Sequence, residues 1–354
     1  MPTSYLGIDL HKRSSTWVLL DQNRKVLLKQ NVPCTPSDVA SALYSLPVAP
    51  ESVRAVVEPV CAWRWFSGLL METGMDVRIA NPLKTRLIAE SKMKHDVLDA
   101  RTLAELVKAD FLPESYRASD DITKLRCLVR ERKFFAHTRI NVICRLHGLT
   151  GSIGQHTMSH HPMRAPGRAE IRASGNEELN EMLNLIEEID AHMKPLNKQI
   201  IKLASSLPIP KLLMTMPGVG AITALTVYAE VGDFGRFPSA EKLTAYAGLV
   251  PSQRSSGPST RNGHITRMGS RLLRTTVVEA AFAIRKNTDH RFYSFYKHLL
   301  PNSATKRGTK RARVALARKM LAIMWHMATN NTPYIPLSPE STLKRADLAT
   351  MLAH

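Results

Sequence analysis

Acidic residues are scarce in this chain. Its 354 residues carry 30 Asp and Glu against 49 Lys and Arg, a formal net charge of +19. An excess of that size points to a polyanionic partner, most often nucleic acid. Cysteine is scarce too. Cys34, Cys61, Cys127 and Cys144 form no CxxC pair, which argues against a zinc site, and scattered thiols suit a reducing compartment. No apolar run reaches the length of a membrane span. The first residues, MPTSYLGIDLHKRSS, hold no apolar signal core. There is no GxGxxG for a dinucleotide, and no helix-turn-helix or zinc finger for reading DNA bases. These absences lead us to expect a cytoplasmic protein with no membrane partner. Its 44% hydrophobic content suffices for packed cores, and its length allows two or three domains.

Residues 4–32 read as three short strands, SYLGIDLH, SSTWVLLDQ and KVLLKQNV, with QNRK as a turn. A helix over 36–46 follows, capped by Ser37 or Thr35. VRAVVEP is an apolar run of the buried-strand kind, AWRWFSGLLMETG a helix ending at Gly74, and DVRIANP another strand. A further helix runs to about Asp110. The order β-β-β-α-β-α-β-α describes an α/β sheet with covered faces.

Beyond residue 120 the texture is helical. Residues 121–150 form a long basic helix. Residues 151–175 lack periodicity and read as a flexible loop. Residues 178–207 return to helical period, with Leu179, Met182, Leu183, Ile186, Ile189, Met193, Leu196 and Ile200 on one face. The two long helices are expected to pair, either as a coiled-coil dimerisation stalk or as a hairpin within one subunit. Around MPGVG, helix–tight turn–helix resembles a helix-hairpin-helix. A short helix over 239–250, a polar loop over 251–270, a helix over 271–286 and a basic helix over 305–329 complete the reading. The proline-rich tail after Asn330 reads as loosely ordered.

Four acids stand out. Asp9 lies inside an apolar strand, where an unpaired carboxylate is expensive. Glu58 ends the VRAVVE strand, the position where ligand sites of α/β sheets gather. Asp96 and Asp99 share one face at the start of a helix. Acids also favour that first turn because of the macrodipole, so their presence there alone decides nothing. Gathered together, four carboxylates would need cations, and oxygen ligands in that number suit Mg²⁺, in one or two ions.

Two blocks of motifs carry a resemblance. The first is GIDLHK (7–12), VVEPV (56–60) and KHDVLDARTLAEL (94–106). The second is MPGVGAITALTVYAEVGDFGRFPSAEKLTAYAGLVPSQRSSG (216–257) followed by GHITRMGSRLLR (263–274). The chain resembles the DEDD-type transposases of bacterial insertion sequences, the IS110 and IS1111 group and relatives of the Piv invertase, some of them bridge-RNA-guided recombinases. The resemblance implies a RuvC-like (ribonuclease H-like) catalytic domain over 1–120, a coiled-coil insertion over 121–207, a helical transposase domain over 208–330 and a tail over 331–354. It implies Asp9, Glu58, Asp96 and Asp99 as catalytic metal ligands for Mg²⁺. His95 stands where relatives often have Thr. Ser256 is implied as the nucleophile, with Ser255 the alternative. The implied reaction passes through a 5′-phosphoserine link, followed by strand exchange and religation. The implied partners are donor and target DNA, a bridge noncoding RNA, and further copies of the chain: a dimer, or a tetramer on DNA, with the active site shared between subunits. The setting is the bacterial cytoplasm, at the nucleoid. For phosphate contacts the charge pattern offers Arg126, Arg130, Arg132, Lys133 and Arg139 on the first long helix. Arg254, Arg261 and Arg267 lie in the polar loop, and Lys306, Arg307, Lys310 and Arg311 in the last helix. Two other functions use the same residues differently: a junction or RNA nuclease with water as nucleophile and Ser256 idle, and a non-catalytic nucleic-acid-binding protein.

Overall fold

A computed structural model of the chain describes residues 2–60, 62–88, 96–152, 163–256, 259–284, 290–300 and 306–335. The chain divides into two units, Met1–Arg117 and Ala118–His354.

The first unit is mixed α/β. Strands β1 (Ser4–Leu10), β2 (Ser14–Asp21) and β3 (Val26–Pro33) form an antiparallel meander. Helix α1 (Pro36–Tyr44) starts at Thr35, whose side chain accepts from the amide of Asp38. It leads to β4 (Val53–Val57), which pairs parallel with β1. Helix α2 (Trp63–Glu72) leads to β5 (Asp76–Ile79), parallel to β4. The sheet order is β3-β2-β1-β4-β5. Helices α3 (Pro82–Ile88) and α4 (Asp96–Lys108) complete the unit.

Strand alternation sorts the sheet into two faces. Leu6, Ile8, Leu10, Trp17, Leu19, Val53, Ala55 and Val57 pack on one side with Val39 of α1 and with Phe66 and Leu70 of α2. On the other side Val18 and Leu20 meet Ala100 and Ala104 of α4, and Val56 meets Leu103 and Val107. Both faces are covered, as the near-continuous apolar strands require.

The second unit begins with α5 (Asp120–Ser152), then α6 (Ala165–Ala173) and α7 (Glu177–Ser206). The aperiodic stretch therefore contains a helix at 165–173. Pro166 in its first turn costs no hydrogen bond, and Ile171 is buried against Leu146 and Leu183. Residues 153–162 lie outside the described residues. Helices α5 and α7 lie antiparallel within one chain. Arg145 reaches Glu178, Arg139 reaches Asp190 and Arg132 reaches Asn197. Leu179, Leu183, Ile186, Ile189, Met193 and Ile200 of the anticipated face are buried, and α7 runs through Pro195.

Helices α8 (Pro208–Leu213), α9 (Ala221–Val231) and α10 (Ala240–Tyr246) follow. The turn between α8 and α9 holds Gly218 at φ +78°, a conformation glycine tolerates. A hairpin of β6 (Pro251–Ser256) and β7 (Ser259–Ile265) replaces the polar loop expected over 251–270. Its Ser-, Arg- and Gly-rich strands lack the apolar alternation that marks a half-buried strand. Helices α11 (Arg271–Ile284), α12 (His290–His298) and α13 (Lys306–Asn330) pack with α8–α10 around Leu273, Phe292, Leu316 and Met320. No helix among the described residues is long and apolar enough to cross a membrane.

Candidate functional site

The acidic site grows from β1. Leu6, Ile8 and Leu10 point into the core beneath α1 and α2, so alternation turns Gly7 and Asp9 to the face covered by α4. Helix α4 presents Ala100, Leu103, Ala104 and Val107 to the sheet. One turn earlier on that stripe stand Asp96 and Asp99. The parallel register that pairs Ile8 with Val57 brings Asp9 alongside Glu58, just past the end of β4. Adjacent strands and a covering helix thus gather the four acids anticipated from the sequence.

Asp9 is 7% exposed. His11 Nε2 lies 3.2 Å from its Oδ2 and 3.6 Å from Asp96 Oδ1. One ligand atom from each of Asp9, His11 and Asp96 falls within a 4.8 Å cluster. Burial pushes the Asp9 carboxyl up to about 6, His11 opposes the shift, and Asp96, Asp99 and Glu58 each add to it. A cation placed beside Asp9 would favour its charged form against that burial and those neighbours. The donor set, carboxylate oxygens with one imidazole, therefore fits a divalent metal ion. His11 did not figure among the residues expected from the sequence. Its signal is a weak one, because His11 stands one residue past the end of β1, two positions from Asp9. His95 lies outside the described residues.

Ser255 and Ser256 occupy the last two positions of β6, opposite Thr260 and Ser259. The turn at 257–258 is outside the described residues. The hairpin is carried between α10 and α11, which belong to the core of the second unit.

The cations expected to form a phosphate-binding row on α5 are committed to contacts within the protein. Arg126 is buried and donates to the carbonyl oxygens of Ala229 and Glu230 at the end of α9. Arg130 forms a two-pronged pair with Glu230, Arg132 donates to Asn197, Lys133 pairs with Glu279 and Arg139 with Asp190. Acids and carbonyls distant in the chain thus engage these side chains, of which Arg130 remains about half exposed. Arg267, Lys310 and Arg311, by contrast, are exposed. Arg254 and Arg261 face each other in register across the β6–β7 hairpin, and Lys306 and Arg307 open α13.

Comparison with known proteins matches both blocks. A transposase family model of the IS110 DEDD type matches residues 6–153, and the model of the IS116/IS110/IS902 transposase family matches residues 210–297. The transposase for insertion sequence element IS1111A of Coxiella burnetii is 28% identical over 347 residues, covering 93% of this chain and 90% of its own length. An insertion element IS110 protein of Streptomyces coelicolor is 34% identical over 141 residues, 40% of this chain and 34% of its own. The pilin gene-inverting protein of Moraxella lacunata is 24% identical over 345 residues, 94% of this chain and 98% of its own.

Proposed function

Because the chain belongs to the insertion-sequence transposases of the IS116/IS110/IS902 family, we propose that it is a DNA recombinase that cuts and rejoins the ends of a mobile element. The observation that carries this reading is the gathering of Asp9, Asp96, Asp99 and Glu58 on one face of the sheet, with Asp9 buried among them. The sheet order β3-β2-β1-β4-β5, an antiparallel meander extended by two parallel strands, supports a ribonuclease H-like catalytic domain. In this reading residues 1–120 are catalytic, 121–207 a helical insertion, 208–330 the transposase domain and 331–354 a tail.

Asp9, Glu58, Asp96 and Asp99 would hold Mg²⁺. A bound divalent ion supplies Lewis-acid polarisation of the phosphate and lowers the pKa of a nearby hydroxyl. Ser256, with Ser255 as the neighbouring alternative, attacks the scissile phosphorus. A serine–phosphate bond forms at the 5′ side and the bond to O3′ breaks. The serine hydroxyl loses a proton and the leaving 3′ oxygen gains one. The phosphoester count is unchanged, so a 3′-OH can reverse the step on a new strand and rejoin it without ATP.

The net charge of +19 suits a bridge RNA as well as donor and target DNA, with base pairing choosing the site and Arg254, Arg261, Arg267, Lys306, Arg307, Lys310 and Arg311 contacting phosphates. The acids and the serine lie in different units, which suits an assembly, a dimer or a tetramer on DNA, in which subunits share sites. The setting is nucleoid DNA in the bacterial cytoplasm.

The test is a trapping assay with end-labelled donor and target DNA, the flanking noncoding RNA and Mg²⁺. A denaturation-resistant protein–DNA adduct that maps to Ser256, and is lost in Ser256→Ala and Asp9→Ala, is the expected result. Cleaved DNA without an adduct would make water the nucleophile and the protein a nuclease. Binding that needs no Mg²⁺ and leaves DNA intact would make it a non-catalytic binder.

A further inference from the structure

We propose that His11 is itself a ligand of the divalent ion, and that its imidazole shifts the preference of the site from Mg²⁺ towards Mn²⁺. The inference rests on the carboxylate metal site described above and adds to it a donor of a different kind. Two donors bound at right angles to one octahedral ion at about 2.1 Å stand about 3 Å apart. His11 Nε2 lies 3.2 Å from Asp9 Oδ2 and 3.6 Å from Asp96 Oδ1, and all three ligand atoms fall within 4.8 Å of one another. An ion could therefore engage the three with sub-ångström adjustments and no change of strand or helix.

The backbone favours the same arrangement. Asp9 is the last but one residue of β1, His11 follows the strand's last residue, and Asp96 opens α4, which Gly7 allows to sit against β1. His11 is the one basic side chain within ion-pairing distance of Asp9 among the described residues, and its side chain is half exposed. It can thus meet an ion arriving from solvent, while Asp9 anchors that ion from within, its side chain 10% exposed. An all-oxygen set suits Mg²⁺ and Mn²⁺ alike, whereas an imidazole is a poorer donor to the harder Mg²⁺ than to Mn²⁺, the first ion of a row whose affinity for nitrogen rises further along it. His11 would then be a specificity-determining residue for the metal rather than a charge partner that the metal displaces.

The test uses the full-length protein and Mn²⁺ as the probe, read by electron paramagnetic resonance. Continuous-wave spectra count bound Mn²⁺ in competition with Mg²⁺, and pulsed spectra report coupling to a ¹⁴N ligand. The wild type should bind Mn²⁺ with a nitrogen coupling. His11→Ala and His11→Asn should still bind, lose that coupling, and lose about tenfold or more of the Mn²⁺-over-Mg²⁺ preference, taking the smallest affinity cost of losing even an outer-shell partner as the floor for a lost ligand. Bound Mn²⁺ without nitrogen coupling in the wild type, or coupling that persists in both His11 variants, overturns the assignment of His11. Failure of the underlying site looks different: the wild type would bind no Mn²⁺, or Asp9→Asn would bind it as well as the wild type does.

Discussion

Gly7 lies against the carbonyl of Ala100, so closely that a methyl group at position 7 would sit 1.8 Å from that oxygen and 2.7 Å from the amide nitrogen of Ala104. Neither backbone atom can move without moving α4. Gly7→Ala is therefore expected to displace the helix and to cost about 1–3 kcal/mol, the usual range for overpacking. Because α4 carries Asp96 and Asp99, Mn²⁺ affinity should fall as well. Thermal melts and metal titration check the pair of effects; a variant unchanged in both would mean that α4 does not position the acids.

Asp9 makes the metal-free protein pH-sensitive. Its carboxyl is raised from 3.8 to about 6, so the folded state favours the protonated form. The associated stability is full below about pH 4 and is lost as pH rises through 6. At pH 8 in EDTA, Asp9→Asn should consequently be more stable than the wild type, by an amount on the order of 3 kcal/mol for a shift of this size. The difference should shrink towards pH 4 and reverse when divalent metal is added. Urea denaturation at both pH values, with and without metal, measures it. An Asp9→Asn protein less stable than the wild type at pH 8 in EDTA would contradict this.

Glu230 is 2% exposed, held by both prongs of Arg130 and by the hydroxyl of Ser270. Arg130→Ala strands a buried carboxylate and is expected to destabilise the second unit by about 3–5 kcal/mol. The double variant Arg130→Ala/Glu230→Gln should recover part of that loss, since the charge is removed as well. A double-mutant cycle on chemical denaturation decides; additive effects would mean the two residues are uncoupled.

The basic residues should separate into two groups under salt. Lys310→Ala and Arg311→Ala should each reduce the slope of log affinity for DNA or RNA against log salt by about 1, with little change in melting temperature. Arg139→Ala should leave the slope alone. It should lower the melting temperature instead, because Arg139 pairs with Asp190 between α5 and α7, and holds that carboxyl below its ordinary range. A slope that responds to Arg139 and not to Lys310 or Arg311 would place the phosphate contacts on α5.

Much of this protein follows from local sequence. Alternation over Ser4–Leu10 and the apolar run Val53–Val57 specify strands, and Thr35 and Asn176 cap helices through their own side chains. The stripe from Leu179 to Ile200 specifies which face of α7 is buried. These features depend on residues within a turn or a pleat of each other, so spacing reveals them. The four acids were legible for the same reason: a carboxylate inside an apolar strand, another at a strand end, and two on one helical face.

Tertiary structure decided the rest. His11 joins the acids only because β1 ends where α4 begins to cover it, a meeting of segments some 85 residues apart, given by the separation of His11 and Asp96. The basic pattern of α5 does not disclose its partners: Arg126 and Arg130 meet the end of α9, about a hundred residues along the chain. The β6–β7 hairpin pairs strands without an apolar pattern, so its register is set by backbone hydrogen bonding rather than by side-chain periodicity. Period and propensity are local quantities, whereas charge pairing, metal geometry and strand partnership depend on distance in space, which only the folded chain defines.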